Sequence, residues 1–298
     1  MTDLGASVLA RLKRKSKESG KSLQLLLQLF CQEEFLRRLS GSEYADYLVL
    51  KGGMFIYTLS NFSSRSTADI DFLLQKQPGG IEDIQRMVNE IISVDTGNNY
   101  IQLIPQGYKI ISLQRKYKGV SFQLLGLVKN TKTPFNVDIG IGDVIVPDPE
   151  KLIIPVQLED FKPAWILTYS LESTIAEKFE ALIQRQQLTS RMKDIYDIYY
   201  LSNQFDFDGN LLQQAILQTI TNRKTFYEPD SLDKVIALSD DPDIQIRWRQ
   251  FLYRTQLPEL NLKLVFLGID QFLRPVWISI IQSKTHNKSW RARKSNWI

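Results

Sequence analysis

The sequence predicts an α/β chain, α+β in how its elements segregate, with strands and flanking helices in the N-terminal part and a mainly helical C-terminal part. Three observations carry that reading. Short apolar or alternating runs of strand length recur between Tyr47 and Ile139. Four prolines, Pro147, Pro149, Pro155 and Pro163, then punctuate the chain. From Thr168 onward the apolar residues recur at three and four positions, the period of a helix packed along one face. The boundary falls near Pro163 and divides the chain into residues 1–163 and 164–298. With 298 residues and 43% hydrophobic content, the chain can bury a substantial core as one large domain or two modest ones.

Taken in order, Leu25, Leu26, Leu29, Phe30, Phe35, Leu36 and Leu39 predict an amphipathic helix over 22–39 that ends near Ser40-Gly41-Ser42. Tyr47-Leu48-Val49-Leu50 is a wholly apolar run that meets Lys51-Gly52-Gly53, and Met54 to Leu59 fits a short helix. That is a strand, a glycine turn and a helix. After the polar stretch 61–67, Asp69-Ile70-Asp71-Phe72-Leu73-Leu74 reads as a second strand, apolar on both faces toward its end, as inside a covered sheet. Gln77-Pro78-Gly79-Gly80 breaks the chain before a helix over 81–93. Tyr108 to Leu113, Ser121 to Val128 and Phe135 to Ile139 read as further strands. In the C-terminal part, helical patterns cover Leu171 to Arg185, Arg191 to Asn203, Gly209 to Thr221 and Lys263 to Gln282.

Composition narrows the function classes. No uninterrupted apolar run reaches the length of a bilayer span, and Met1-Thr2-Asp3 lacks the apolar core of a secretion signal, so the expectation is a cytoplasmic protein with no membrane partner. The lone Cys31 excludes intramolecular disulfides and multi-cysteine metal sites, and it reads as core. His286, the single histidine, lies in a polar tail, which removes histidine catalysis and the general base of serine and cysteine hydrolases. The 37 basic and 33 acidic residues leave a net charge of +4, too small to imply a polyanionic partner. Their distribution is uneven. One basic cluster comprises Arg11, Lys13, Arg14, Lys15, Lys17 and Lys21, and the tail carries Lys284, Lys288, Arg291, Arg293 and Lys294 interleaved with Trp290 and Trp297. Charge mixed with stacking surface suits single-stranded nucleic acid, and a solvated helix face with a frayed terminus explains the same residues.

The chemistry centres on Asp69 and Asp71. Two positions apart on a strand, they point to one face. Carboxylates about 5 Å apart repel by roughly 3 kcal/mol at an effective dielectric of about 20. The pair therefore calls for solvent, a shared proton or a cation, and a hard divalent metal satisfies it best. A strand with one wet face is the plainer explanation of such a pair alone. Its surroundings shift the balance. Gly52-Gly53, between a strand and a helix, allows close approach of a phosphate to the free N–H groups of a helix start. Arg65-Ser66-Thr67 adds a guanidinium and hydroxyls suited to a triphosphate. Asp138 is an acid inside an apolar strand, and thus a candidate third carboxylate for a two-metal site. Farther on, Lys178 can neutralise a phosphate, and Asp194, which shares a helix face with Asp197, can orient that lysine or a basic group of the substrate.

In their order, Leu50-Lys51-Gly52-Gly53, Arg65 through Phe72, Val137-Asp138-Ile139-Gly140, Glu177-Lys178 and Arg191 through Asp197 closely resemble the AbiEii/AbiGii toxin family. That family is a branch of the DNA polymerase β-like nucleotidyltransferase superfamily and includes the MenT toxins. The resemblance runs from about residue 23 to 203. It implies a two-lobed nucleotidyltransferase fold, a mixed-sheet lobe followed by a mainly helical lobe with NTP between them. It also implies Mg²⁺-dependent transfer of a nucleoside monophosphate from NTP, in the MenT branch to the 3′ end of tRNA. The protein would act as the toxin of a toxin–antitoxin or phage-defence system, neutralised by a cognate antitoxin from a neighbouring gene. Carried across by motif, Gly52, Gly53, Arg65, Ser66 and Thr67 contact the nucleotide phosphates, and Asp69 and Asp71, with Asp138 as a third acid, ligate the metal. Lys178 and Asp194 complete the catalytic set. The wider superfamily has Gly-Ser before its carboxylates, whereas this chain has Gly52-Gly53, so the missing hydroxyl falls to Ser66 or Thr67. Two alternatives keep the fold but change the role: an acceptor that is a protein or small molecule, or a non-catalytic module that binds nucleotide or a partner. A glycosyltransferase also uses Asp-x-Asp, but it has no place for the Lys178 and Asp194 segments.

Overall fold

The computed structural model describes residues 3–65, 67–77, 79–111, 119–185 and 191–298. The chain forms two compact units, Met1–Gly142 with Glu150–Thr168, and Asp143–Pro149 with Tyr169–Ile298. The first contains α1 (Leu4–Ser19), α2 (Leu23–Ser40), β1 (Leu48–Lys51), α3 (Gly52–Leu59), β2 (Asp69–Leu74), α4 (Ile81–Ser93), β3 (Ile101–Ile111), β4 (Gly119–Val128), β5 (Thr131–Ile141), β6 (Glu150–Ile154) and β7 (Ala164–Thr168). Its sheet has seven strands in the order β3-β4-β5-β2-β1-β7-β6. The β1–β7 and β2–β5 pairs are parallel and the others antiparallel, which makes the sheet mixed. β2 lies in its interior, and Ile70, Phe72, Leu73 and Leu74 are buried, as its apolar second half requires.

The chain between the proline signals is more structured than its sequence suggests. Pro155 and Pro163 bracket a loop joining β6 to β7, and β7 alternates buried Ala164, Ile166 and Thr168 with outward positions. Because β7 pairs with β1, the first unit extends to Thr168 rather than stopping at Pro163. Half of the N-terminal basic cluster is committed within this unit, while Lys13, Arg14 and Lys17 are exposed. Arg11 pairs with Asp160 at 2.6 Å, Lys15 donates to the Gln157 carbonyl at 2.6 Å, and Lys21 donates to the Tyr57 hydroxyl at 2.7 Å. These cations stitch α1 to its neighbours, which removes them from the polyanion patch that the sequence left open.

The second unit holds α5 (Leu171–Arg185), α6 (Met192–Gln204), β8 (Phe207–Asp208), α7 (Gly209–Arg223), α8 (Ser231–Ile236), α9 (Pro242–Thr255), α10 (Leu262–Ile281), β9 (Ser289–Arg291) and β10 (Asn296–Trp297). Among the described residues, α10 alone is long and apolar enough to cross a membrane by length and composition, although Asp270 and Arg274 interrupt its apolar run. Its Val265, Phe266, Ile269, Phe272, Leu273, Val276 and Ile280 are buried in the core of this unit. The tail is neither frayed nor a stacking platform. Trp290 and Trp297 are buried against Phe272, with ring centroids 5.1 and 5.8 Å away. Their indole N–H groups donate to the carbonyls of Ser202 and Phe272 at 2.6 and 3.0 Å. Two indoles supply enough apolar surface to anchor a short basic tail that composition alone reads as loose.

Candidate active site

The carboxylate strand is held from both sides. The side-chain amides of Gln28 and Gln32 on α2 both donate to the Ala68 carbonyl, the latter at 2.8 Å, fixing the point where β2 begins. From there Asp69 and Asp71 share the half-buried face, opposite Ile70 and Phe72. Register then places a row of polar residues across four strands: Lys51 on β1 beside Asp71, Asp71 beside Asp138 on β5, and Asp138 beside Ser121 on β4. Adjacent strands lie about 4.8 Å apart, so these side chains are lateral neighbours. A second row starts at Asp69, whose Oδ1 accepts a hydrogen bond from the Asn136 amide at 3.0 Å. The Ser121 hydroxyl donates to Asp138 Oδ1 at 2.5 Å.

The glycine turn sits against this face. Gly52 has φ +68°, and a Cβ built on it would overlap the Asp71 carboxylate. A Cβ on Gly53 would come within 2.8 Å of Thr67 Oγ1 and 3.2 Å of Arg65 Nη1. Gly52, Gly53, Arg65, Thr67, Asp69, Asp71 and Asp138 thus come together in the first unit; Ser66 lies outside the described residues. Two hard oxygen donors on one face, with backbone brought close by a glycine that has no side chain to intrude, suit a hard divalent cation. Among the described residues no three His, Cys, Asp or Glu side chains gather into a closed metal cage. The remaining ligands would then be phosphate oxygens and water, the usual arrangement for Mg²⁺ beside a nucleotide.

In the second unit, Lys178 on α5 is buried and held in a double ion pair, 3.1 Å from Asp194 and 2.6 Å from Asp197 on α6. Asp194 also receives Arg191. Burial by itself would raise the Asp194 carboxyl, but the charges of Lys178 and Arg191 outweigh it and hold that carboxyl down at about 2. The sequence pairing of Lys178 with Asp194 is therefore met, and Asp197, noted there only as sharing the helix face, is an equal partner.

Several site residues escaped the sequence. Asn136 and Ser121 support the acids at 69 and 138. The alternation of β5 offered a signal for the first, since Asn136 lies two positions before Asp138 and so on the same face. Arg223 on α7 forks to Asp143 at 2.9 Å and to Glu177 and Glu180 on α5 at 2.8 Å each. The Tyr169 hydroxyl donates to Glu177 at 2.9 Å. Burial works against the Arg223 charge, and the surrounding carboxylates more than offset it, raising the guanidinium above its usual value. No local pattern joins residues so far apart in sequence.

MenT4, a nucleotidyltransferase toxin from Mycobacterium tuberculosis, has a similar fold, with TM-score 0.53 over 93% of this chain and 99% of its own at 14% identity. JHP933 from Helicobacter pylori covers 88% of this chain and 95% of its own, with 15% identity and TM-score 0.48. No curated protein matches the chain in sequence. The family described as nucleotidyl transferase AbiEii toxin, type IV toxin–antitoxin system, matches residues 34–266, a span that takes in the glycine turn, the carboxylate strand and both helical motifs. The chain accordingly belongs to the AbiEii toxin family and is a nucleotidyltransferase.

Proposed function

We propose that this enzyme uses Mg²⁺ at Asp69 and Asp71 to transfer a nucleoside monophosphate from NTP to the 3′ end of tRNA, as the toxin of a toxin–antitoxin pair. The observation that carries the reading is the close approach of Gly52 to Asp71, which sets a glycine turn and the start of α3 against an acid pair. Gly52, Gly53, Arg65, Ser66 and Thr67 grip the triphosphate, while Asn136 orients Asp69 and Ser121 orients Asp138. A divalent cation there supplies charge neutralisation to the acids and to the phosphates. Lys178 serves as the phosphate-facing cation and Asp194 positions it. The acceptor hydroxyl attacks the α-phosphorus and pyrophosphate leaves. The resemblance to the MenT branch supports a tRNA acceptor, and the type IV family supports a paired antitoxin. Both substrates place the reaction in the cytoplasm, with arrest of translation and phage defence as its consequence.

The test is incubation with labelled NTPs, Mg²⁺ and total tRNA. Label enters tRNA with the wild type and is lost with Asp69→Ala. Labelling that survives in Asp69→Ala, or that appears only on protein, overturns the assignment.

A further inference from the structure

The exposed face of α9 offers an interaction surface that the catalytic motifs do not use. α9 buries Ile244, Trp248 and Leu252 on one side. On the other side Arg247, Arg249 and Arg254 are exposed, together with Ile246 at 45% and Tyr253 at 87% exposure. At about 100° per residue, Tyr253 and Ile246 fall along the middle of this face, with Arg249 on one shoulder and Arg247 and Arg254 on the other. The only acid of the helix is Asp243, in its first turn. Among the described residues, neither Arg249 nor Arg254 forms an ion pair.

We infer that this face binds the RNA acceptor, its arginines on the phosphates and Tyr253 stacked on a base, an assignment that rests on RNA being the acceptor of the reaction proposed above. Guanidinium groups flanking an aromatic platform are the chemistry that single-stranded RNA segments need, and both parts are in place. A protein partner suited to the same three arginines would need its own acidic strip, and the wide exposure of one tyrosine gives it no pocket to fill. Position supports the choice. Phe251 on α9 packs against Tyr196 of α6 with ring centroids 5.9 Å apart, so α9 leans on the helix that carries Asp194 and Asp197. Packed helices lie about 10 Å apart, which puts the outer face of α9 roughly 20 Å from those acids. A short run of nucleotides spans that distance, and a tRNA does so easily.

The experiment measures binding of purified tRNA to the full chain at several salt concentrations. The wild type is compared with Arg249→Gln/Arg254→Gln, Tyr253→Ser and Asp69→Ala. The double variant is expected to bind at least about tenfold more weakly and to lower the salt slope by about 1 for each arginine. Tyr253→Ser loses about fivefold or more. Both keep wild-type NTP affinity and melting behaviour, since exposed positions carry little of the fold. Asp69→Ala keeps tRNA binding and loses transfer. Unchanged tRNA binding in the α9 variants, or none in the wild type, overturns the surface. If those variants also transfer nucleotide to tRNA normally, the reaction stands without it. If the wild type binds tRNA through α9 but labels only another acceptor, the surface stands and the acceptor falls. Unchanged tRNA binding with loss of a co-expressed antitoxin from the variants would assign the face to protein and overturn the inference.

Discussion

Gly52 lies directly against Asp71: a methyl group at its Cα would overlap the carboxylate, and its φ of +68° is in the left-handed region. Gly52→Ala therefore carries two penalties. The backbone strain costs about 1–2 kcal/mol, and relief of the overlap displaces an acid of the proposed cation site. Displacements near 1 Å cost about 100-fold in rate. The expected result is a loss of nucleotide transfer of that order with a modest fall in stability. Gly53→Ala is milder, because it meets the ends of Thr67 and Arg65, which can turn away. Wild-type transfer by Gly52→Ala would sink this account of the turn.

Asn136 donates to Asp69 Oδ1 at 3.0 Å and so decides which way that carboxylate points. Groups that orient a metal ligand change metal affinity by about 10–100-fold when removed. Asn136→Ala is expected to raise the Mg²⁺ concentration that half-saturates transfer by such a factor, with recovery at high Mg²⁺. Direct titration of the cation by calorimetry gives a readout independent of turnover. A variant that loses activity with an unchanged Mg²⁺ requirement would show that Asn136 acts elsewhere.

These two sites differ in how far the sequence revealed them. The strand Asp69–Leu74 and the helix Ile81–Ser93 were legible to the residue, because the break at Gln77-Pro78-Gly79-Gly80 and a change of period separate them. The acid pair was legible for the same reason: spacing on one strand decides its face. Asn136 and Ser121 depended on strand order, since β5 neighbours β2 across 67 residues of sequence. The tail misled because burial of Trp290 and Trp297 depends on Phe272, which belongs to another helix. Charge counts likewise could not show that Arg11 and Lys15 are consumed by Asp160 and the Gln157 carbonyl.

Asp194 is buried between Lys178 and Arg191, and its carboxyl is held at about 2 against an ordinary 3.8. A carboxyl lowered by folding contributes stability above its unfolded value and loses it as pH falls toward the folded one. Here the contribution is about 2 kcal/mol above pH 4, declining as pH drops toward 2. Asp194→Asn leaves buried cations short of a partner and is expected to cost about 3 kcal/mol at neutral pH. Thermal melts should show the gap between wild type and variant narrowing below pH 4. A gap that stays constant from pH 7 to pH 3 would mean that the Asp194 charge is not what stabilises this cluster.

His286 gives the second unit a further pH response. Its ring is buried edge-on to Trp297 at 4.6 Å, Nδ1 lies 3.3 Å from the Ser279 hydroxyl, and its backbone N–H donates to the Gln213 side chain at 2.8 Å. Nε2 is buried without a hydrogen-bond partner among the described residues. Burial, reinforced by Lys288, lowers the imidazole below its usual value, and none of these neighbours is an acid that would welcome a second proton. The unfolded chain thus takes up the proton first. Stability is full above about pH 6.5 and falls as pH drops below it, at no more than about 1.4 kcal/mol per pH unit. In His286→Gln, denaturant midpoints between pH 7 and pH 5 are expected to flatten relative to wild type, whatever the variant's absolute stability. Parallel decline of the two proteins over that range would place the acid response at some other group.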